Sequence, residues 1–173
     1  PALKSLAAQV GVPVQIVLVD NALQESEIPW DRHRGPDIMR LRNFRDQGFA
    51  RGHNQALASL FARWPAESWS ERFILLMSTR ILLAPDAVAQ MVAVLERYPD
   101  CAAVSPNVRR AQLQTREDDE PQFLDTAILE QFGVEMTRAW EPGSRGQGIK
   151  DEGQYNERQE AFLPGTWCLL VRA

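Results

Sequence analysis

Several residue types that would identify a particular class of protein are scarce in this chain. Its 173 residues include only two cysteines, too few for a fold stapled by disulfides. The two histidines are not at the spacing of metal ligands. No apolar run approaches the roughly 18 residues that a membrane-spanning helix needs. With 19 Lys and Arg against 23 Asp and Glu, the net charge of -4 disfavours a nucleic-acid-binding protein.

The motifs of several common enzyme classes are missing as well. The sequence has no P-loop, no G-x-S-x-G elbow and no G-x-G-x-x-G after a predicted strand. These absences disfavour a P-loop NTPase, an α/β-hydrolase and a Rossmann dehydrogenase. The composition itself is ordinary: 45% of the residues are apolar and 24% are charged. We therefore expect one domain with its own hydrophobic core.

Short apolar segments alternate with amphipathic helical patterns over residues 1–108. Strands are predicted near residues 14–19, 37–42, 73–77 and 101–105, because such runs are typical of strands buried on both faces of a parallel sheet. This alternation predicts an α/β fold with a mostly parallel sheet covered on both faces. Residues 109–122 are polar and are predicted to form a solvated loop. Residues 162–171 end in an apolar run, which is compatible with a further strand of the same sheet.

Polar residues at the predicted strand ends form the candidate site. Asp20 and Asn21 follow the first strand, and Ser78, Thr79 and Arg80 follow the third. In open α/β sheets, ligands bind outside the carboxyl ends of the strands. A carboxylate there can accept hydrogen bonds from a ribose hydroxyl or a base N–H, and an arginine can hold a diphosphate by bidentate contacts. The pattern is compatible with a nucleotide site and also with residues that only end a strand or cap a helix.

Six segments, in order along the chain, resemble the inverting family 2 glycosyltransferases. They are VDNALQES (19–26), RNFRDQGFARGHNQALA (42–58), ILLMSTRILLAPDAV (74–88), CAAVSPNV (101–108), RGQGIKDEGQYN (145–156) and AFLPGTWCLLVRA (161–173). The last two resemble the rhamnosyltransferase-like branch. The resemblance implies a GT-A fold, which is a three-layer Rossmann-like sandwich. It also implies transfer of a sugar, with inversion, from a UDP- or dTDP-sugar to a saccharide or lipid-linked acceptor.

The resemblance assigns nucleotide contacts to four residues. Asp20 and Asn21 match the Asp-Asn of the family's first motif. Gly48 and Asn54 match a glycine and the final asparagine of the N-x-G-F-A-x-G-x-N motif. The first Asn of that motif is Asp46 here.

The diphosphate region departs from the family pattern. The family's Asn-Pro-Asp is Ser78-Thr79-Arg80 in this chain, so an arginine stands where the resemblance implies a ligand of Mg²⁺ or Mn²⁺. Because an arginine removes an oxygen ligand and repels the ion, no metal site is assigned, and Arg80 and Ser78 become the diphosphate candidates. Asp151 and Gly165 are the candidates for the donor sugar and the acceptor.

We expect a single GT-A-like domain over residues 1–173, incomplete at both ends. Residues 1–108 would be its nucleotide-binding half and residues 109–173 its donor-sugar and acceptor half. The family's first strand and its later Glu-Asp motif, which supplies the general base, have no counterpart here, so no catalytic residue is assigned.

Two functions stay open: a glycosyltransferase, and a catalytically silent module that binds a nucleotide or a protein. We expect a nucleotide-sugar and a saccharide or lipid-linked acceptor as partners, but no nucleic acid. The expected location is the cytoplasm, including the inner face of the cell membrane.

Overall fold

The described structure contains three α-helices, nine short strands and one 3-10 helix. It is a computed structural model and describes residues 1–21, 38–114 and 122–173. The elements are α1 (Ala2–Ala7), β1 (Ile16–Asp20), β2 (Ile38–Arg42), α2 (Phe49–Phe61), the 3-10 helix Ala66–Glu71, β3 (Phe73–Met77), α3 (Ala87–Arg97), β4 (Ala103–Val104), β5 (Val108–Gln114), β6 (Gln122–Gln131), β7 (Val134–Met136), β8 (Pro142–Ser144) and β9 (Cys168–Arg172). All four strands predicted within residues 1–108 lie within two residues of the predicted bounds, although β4 is shorter than predicted. Asp37, the first residue of the predicted second strand, lies outside the described residues.

The strands form four small sheets, so the prediction of a three-layer Rossmann-like sandwich of GT-A type with a mostly parallel sheet is wrong. β1 and β2 are parallel, but they form a two-stranded sheet. β9 lies between β3 and β4 and is antiparallel to both. β5 pairs with β6, and β7 with β8, both antiparallel. The prediction failed because β9 runs antiparallel to its neighbours. A strand buried on both faces is apolar whichever way it runs, so its composition does not reveal its direction.

The hydrophobic core lies where α3 packs against the sheet of β3, β9 and β4. Val88, Met91 and Leu95 form the buried face of α3, at the spacing of one helical stripe. They belong to one cluster with Cys168 and Leu170 of β9. Leu95 is fully buried, and Cys168 and Leu170 are 1% exposed. Burying one such aliphatic side chain stabilises the fold by roughly 1.5–3 kcal/mol, so this cluster holds β9 in place.

A β-hairpin occupies much of the segment that was predicted to be a solvated loop. β5 and β6 pair from Val108 opposite Gln131 to Gln114 opposite Gln122, with irregular register near the base. Most residues of β5 are exposed. Because neither face of the outer hairpin is buried, its strands lack the apolar alternation by which a strand is recognised. The loop prediction is therefore wrong for residues 109–114 and 122, while residues 115–121 lie outside the described residues.

No helix within residues 1–21, 38–114 and 122–173 is both long enough and apolar enough to cross a membrane.

Burial of the Cys168 thiol makes stability depend on pH. Burial raises the pKa of Cys168 from 9.0 to about 11. The folded state therefore holds this proton more tightly than the unfolded chain, and the stabilisation is lost as the pH rises from about 9 to about 11. We expect urea unfolding to show a loss of roughly 2–3 kcal/mol from this group across that window. Cys168→Ala should lose this component and Cys101→Ala should keep it; equal pH dependence in both variants would contradict the assignment.

Candidate functional site

The carboxyl ends of β1 and β2 bring together the polar residues of a first candidate site, here called the strand-end cluster (Asp20, Asn21, Asn43, Gly48 and Gln55). Asp20 pairs with Arg42 in the parallel register, so the two strands end at the same edge. The backbone N–H of Asn43 donates to the carbonyl of Asp20 at 2.9 Å. The Asp20 side chain is 5% exposed, and its Oδ2 lies 3.8 Å from Nε of Arg42. A buried carboxylate thus lies at the end of the first strand.

Side-chain amides link the strand ends to the start of α2. Nδ2 of Asn43 donates to Oδ1 of Asn21 at 2.7 Å and to Oε1 of Gln55 at 2.9 Å. Nδ2 of Asn21 donates to the carbonyl of Gly48 at 3.3 Å. The two hydrogens of the Asn43 amide are therefore both used. This network fixes the orientation of Asn21 beside Asp20.

Two glycines shape the start of α2 for different reasons. Gly48 has a φ of 78°, a backbone conformation that other residues rarely adopt, and its N–H donates to Oδ1 of Asp46 at 2.7 Å. At Gly52, a Cβ atom would lie 3.1 Å from Nδ2 of Asn21, so a larger residue there would require the Asn21 amide to shift. Asn54 is exposed and takes no part in the amide network. The structure therefore joins Asp20, Asn21 and Gly48, and it leaves Asn54 outside their network.

A second candidate site, here called the arginine cleft, lies beside the end of β3. It is an open cleft of about 260 Å³. Its lining combines three cations, one carboxylate and an apolar wall: Arg80, Arg109, Arg110, Glu130, Ile81, Val108, Ala111 and Trp167. Among the lining residues the arginines outnumber the carboxylate three to one, which favours an anion, while Asp125 and Asp151 offset the charge of Arg109 from outside the lining. None of these residues belongs to the strand-end cluster.

The three arginines differ in how strongly they are already engaged. Nε of Arg110 donates to Oε2 of Glu130 at 2.6 Å. A terminal nitrogen of Arg109 lies 2.7 Å from Oδ2 of Asp125. Arg80 is exposed, and within the described residues its guanidinium makes no hydrogen bond or ion pair. Arg80 is therefore the cation that an incoming anion meets first.

Glu130 is the carboxylate that most affects the charge of the cleft. The hydrogen bond from Arg110 holds the pKa of Glu130 below its usual value, and a second hydrogen bond, from Gln147, acts in the same direction. Partial burial opposes these effects but does not reverse them. Glu130 is thus ionised near neutral pH, and its lowered pKa makes it a weak base.

Arg80 lines the arginine cleft, and Ser78 and Asp151 lie beside it, whereas Gly165 contacts Ser105 and Gln131. The N–H of Ser78 donates to the carbonyl of Trp167 at 2.9 Å, and Oγ of Ser78 accepts from the N–H of Arg80 at 3.3 Å. Asp151 borders the cleft through Arg109, whose Nη1 lies 3.7 Å from its Oδ2. Gly165 is buried two residues before Trp167, and its N–H donates to Oγ of Ser105 at 2.8 Å.

Close packing explains why position 165 is a glycine. A Cβ atom there would lie 2.6 Å from Oε1 of the buried Gln131. Asp151 is also held tightly: its Oδ2 accepts from Nδ2 of Asn107 at 3.4 Å and its Oδ1 accepts from the N–H of Gly153 at 3.1 Å. Both residues therefore have a structural role that is visible without any ligand.

Sequence reasoning missed Asn43 and Gln55 in the first site and Arg109, Arg110 and Trp167 in the second. A signal for Asn43 was present, because Asn43 directly follows the second predicted strand (37–42) just as Asp20-Asn21 follows the first. Arg109 and Arg110 lie in the segment that was predicted to be a solvated loop. Among the residues described, no group of three or more His, Cys, Asp or Glu side chains is placed to hold a metal ion.

No protein-family model, no curated protein and no solved structure matches the chain.

Removing the carboxylate of the arginine cleft should strengthen anion binding. Glu130→Gln keeps the side-chain shape, removes one negative charge and releases Arg110. We expect the affinity for inorganic pyrophosphate, measured by calorimetry at low salt, to rise about 2- to 5-fold, or roughly 0.5–1 kcal/mol for a screened charge near the surface. Glu135→Gln, an exposed change on β7, is the control and should leave the affinity unchanged. Weaker binding by Glu130→Gln would show that the carboxylate positions the arginines.

Proposed function

We propose that this chain binds a nucleotide diphospho-sugar, a UDP- or dTDP-sugar, and acts as the donor-binding part of an inverting glycosyltransferase. One observation carries the proposal. Arg80, the residue that the resemblance assigns to the diphosphate, has no ion pair among the described residues and lines a cleft with Arg109 and Arg110. Ser78 adjoins this cleft, and Asp151 lies at its border through Arg109. The proposed acceptor is a saccharide or a lipid-linked saccharide, and the proposed location is the cytoplasm, including the inner face of the cell membrane.

The strand-end cluster would take the nucleoside. The carboxylate of Asp20 accepts hydrogen bonds only, which suits a ribose hydroxyl or the imide N–H of uracil or thymine. Asn21 is oriented beside it by Asn43 and by the carbonyl of Gly48. An oriented acceptor loses little conformational entropy when a ligand binds, which favours affinity.

The arginines would neutralise the diphosphate without a metal ion. A guanidinium presents a planar fork of N–H donors that matches phosphate oxygens. As the bond to the sugar breaks, negative charge develops on the diphosphate, and fixed cations at that point lower the barrier. A divalent cation does not fit the Arg80 position, because three guanidinium groups line the same cleft. No step of the proposed transfer therefore depends on one.

One observation favours the second candidate function, a catalytically silent binding module. An inverting transfer needs a general base for the acceptor hydroxyl. Glu130 is the carboxylate among the residues that line the arginine cleft, and it is engaged by Arg110 and Gln147. Its lowered pKa suits an ion pair better than proton abstraction. Binding of UDP-sugar without turnover or hydrolysis would support the silent module.

The role of Arg80 is tested by pairing Arg80→Asp with a manganese titration. We expect the parent chain to bind UDP or dTDP equally well with EDTA and with manganese, because Arg80 supplies the charge. Arg80→Asp should lose most of this affinity in EDTA and recover it only when manganese is present. Arg63→Asp, an exposed change just after α2, is the control. A parent chain that itself requires manganese would contradict the assignment of Arg80 to the diphosphate.

The nucleoside assignment is tested at Asp20. Asp20→Ala should weaken UDP or dTDP binding by roughly 1–3 kcal/mol, the usual cost of removing a hydrogen-bond partner of this kind. Because the residue is buried, Asp20→Asn is measured in parallel as a variant of nearly the same shape, with thermal unfolding followed for both. Asp100→Ala, an exposed change, should bind like the parent. Unchanged nucleotide affinity in folded Asp20→Ala would refute the assignment.

A further inference from the structure

The tip of the β7–β8 hairpin presents one large aromatic ring to solvent. Trp140 is 81% exposed and has a φ of 61°, in the left-handed region that bulky residues rarely adopt. The tip is internally braced. The N–H of Trp140 donates to the carbonyl of Thr137 at 3.0 Å, the N–H of Thr137 donates to the carbonyl of Glu141 at 2.9 Å, and Oγ1 of Thr137 accepts from the N–H of Glu141 at 3.2 Å.

Neither the strain nor the exposure of Trp140 benefits the fold. A glycine at this position would adopt the same backbone conformation without strain, and a polar side chain would avoid exposing an indole ring. Residues held in sparsely populated backbone conformations tend to cluster at functional sites, where the surrounding structure enforces them. The braced tip therefore suggests that the ring is presented to a ligand.

The charged neighbours of the ring indicate what kind of ligand it suits. Arg138 and Glu141 flank Trp140 in the sequence and are exposed. Within the described residues, neither side chain makes a hydrogen bond or an ion pair. The hairpin 134–144 carries one arginine, Arg138, against two glutamates, Glu135 and Glu141, which gives it a net charge of -1. The surface thus offers a flat apolar face, donors and acceptors at its rim, and no excess of positive charge.

We propose that Trp140 is a stacking platform for a neutral saccharide, a site that goes beyond the donor site proposed above. A pyranose ring has an apolar face of C–H groups and a rim of hydroxyls. The face can pack on the indole, whose ring face carries partial negative charge, while the hydroxyls donate to Glu141 and accept from Arg138. The same ring binds a membrane surface less well, because the hairpin has no excess of cations to attract anionic lipids.

The position of Trp140 separates it from the other exposed apolar residues of this region. Phe162 and Leu163 are 64% and 50% exposed. Leu163 bridges to Val134, the first residue of β7, whereas Trp140 lies beyond Met136, the last residue of that strand. The ring at the tip is thus at the opposite end of β7 from this pair.

The test uses fluorine NMR of the chain labelled with 5-fluorotryptophan, in which each of the five tryptophans gives its own signal. Methyl rhamnoside and methyl glucoside are titrated separately, and vesicles of phosphatidylglycerol and phosphatidylcholine are added to a third sample. We expect the Trp140 signal to shift with at least one saccharide, with a dissociation constant in the millimolar range, and to be unaffected by vesicles. A Trp140 signal that shifts with neither saccharide, or that changes when vesicles are added instead, overturns the proposal.

Two variants separate binding from folding. Trp140→Gly relieves the backbone strain, so it should unfold at the same temperature as the parent or at a higher one. In a saturation-transfer difference NMR experiment, however, this variant should no longer transfer saturation to the saccharide. Trp69→Phe is the matched control in the 3-10 helix and should keep that transfer. Retained saturation transfer in Trp140→Gly would overturn the proposal.

The labelled chain also distinguishes this proposal from the proposed donor site. Trp167 lines the arginine cleft, so its signal reports on binding of UDP or dTDP there. A Trp140 shift with saccharide and a silent Trp167 with nucleotide would support the saccharide platform and contradict the donor site. The reverse pattern would support the donor site and refute the platform.

Discussion

The pairing of β9 with β3 is the constraint on which the arginine cleft depends. Met77 lies opposite Cys168 in the antiparallel register, and the next hydrogen bond joins the N–H of Ser78 to the carbonyl of Trp167. This places Trp167 beside the turn that carries Arg80. The register is held because Cys168 and Leu170 are buried against α3. A shift of β9 by one residue would move these side chains off α3 to the other face of the sheet and turn Trp167 away from the cleft.

The two candidate sites use different physical means to prepare for a ligand. In the strand-end cluster, amides satisfy one another, and the geometry is fixed before anything binds. In the arginine cleft, Arg109 and Arg110 are held by carboxylates, while Arg80 has no such partner among the described residues. The first site offers oriented hydrogen-bond acceptors, and the second offers charge. A nucleotide diphosphate needs both, since its nucleoside is read by hydrogen bonds and its phosphates by cations.

The apolar periodicity was enough to predict where β1, β2 and β3 lie. It was not enough to predict how the strands combine. The direction of β9 leaves no mark on its composition, and the outer β5–β6 hairpin has no buried face to give it a pattern. The same gap explains the missed site residues: Arg109 and Arg110 lie on that hairpin, and they reach Arg80 only because the fold brings β5 beside the end of β3.

The sequence by itself determined the local features of this protein: the positions of several strands, the polar residues at strand ends, and the replacement of a carboxylate by Arg80. These depend on neighbours within a few residues, so a linear pattern contains them. Only the tertiary structure decided that the strands form several small sheets, and that Asn54 lies outside the network of Asp20 and Gly48. It also decided that Arg80 joins two arginines about 30 positions away. Such contacts depend on strand direction and helix rotation, which are settled by the packing of the whole core.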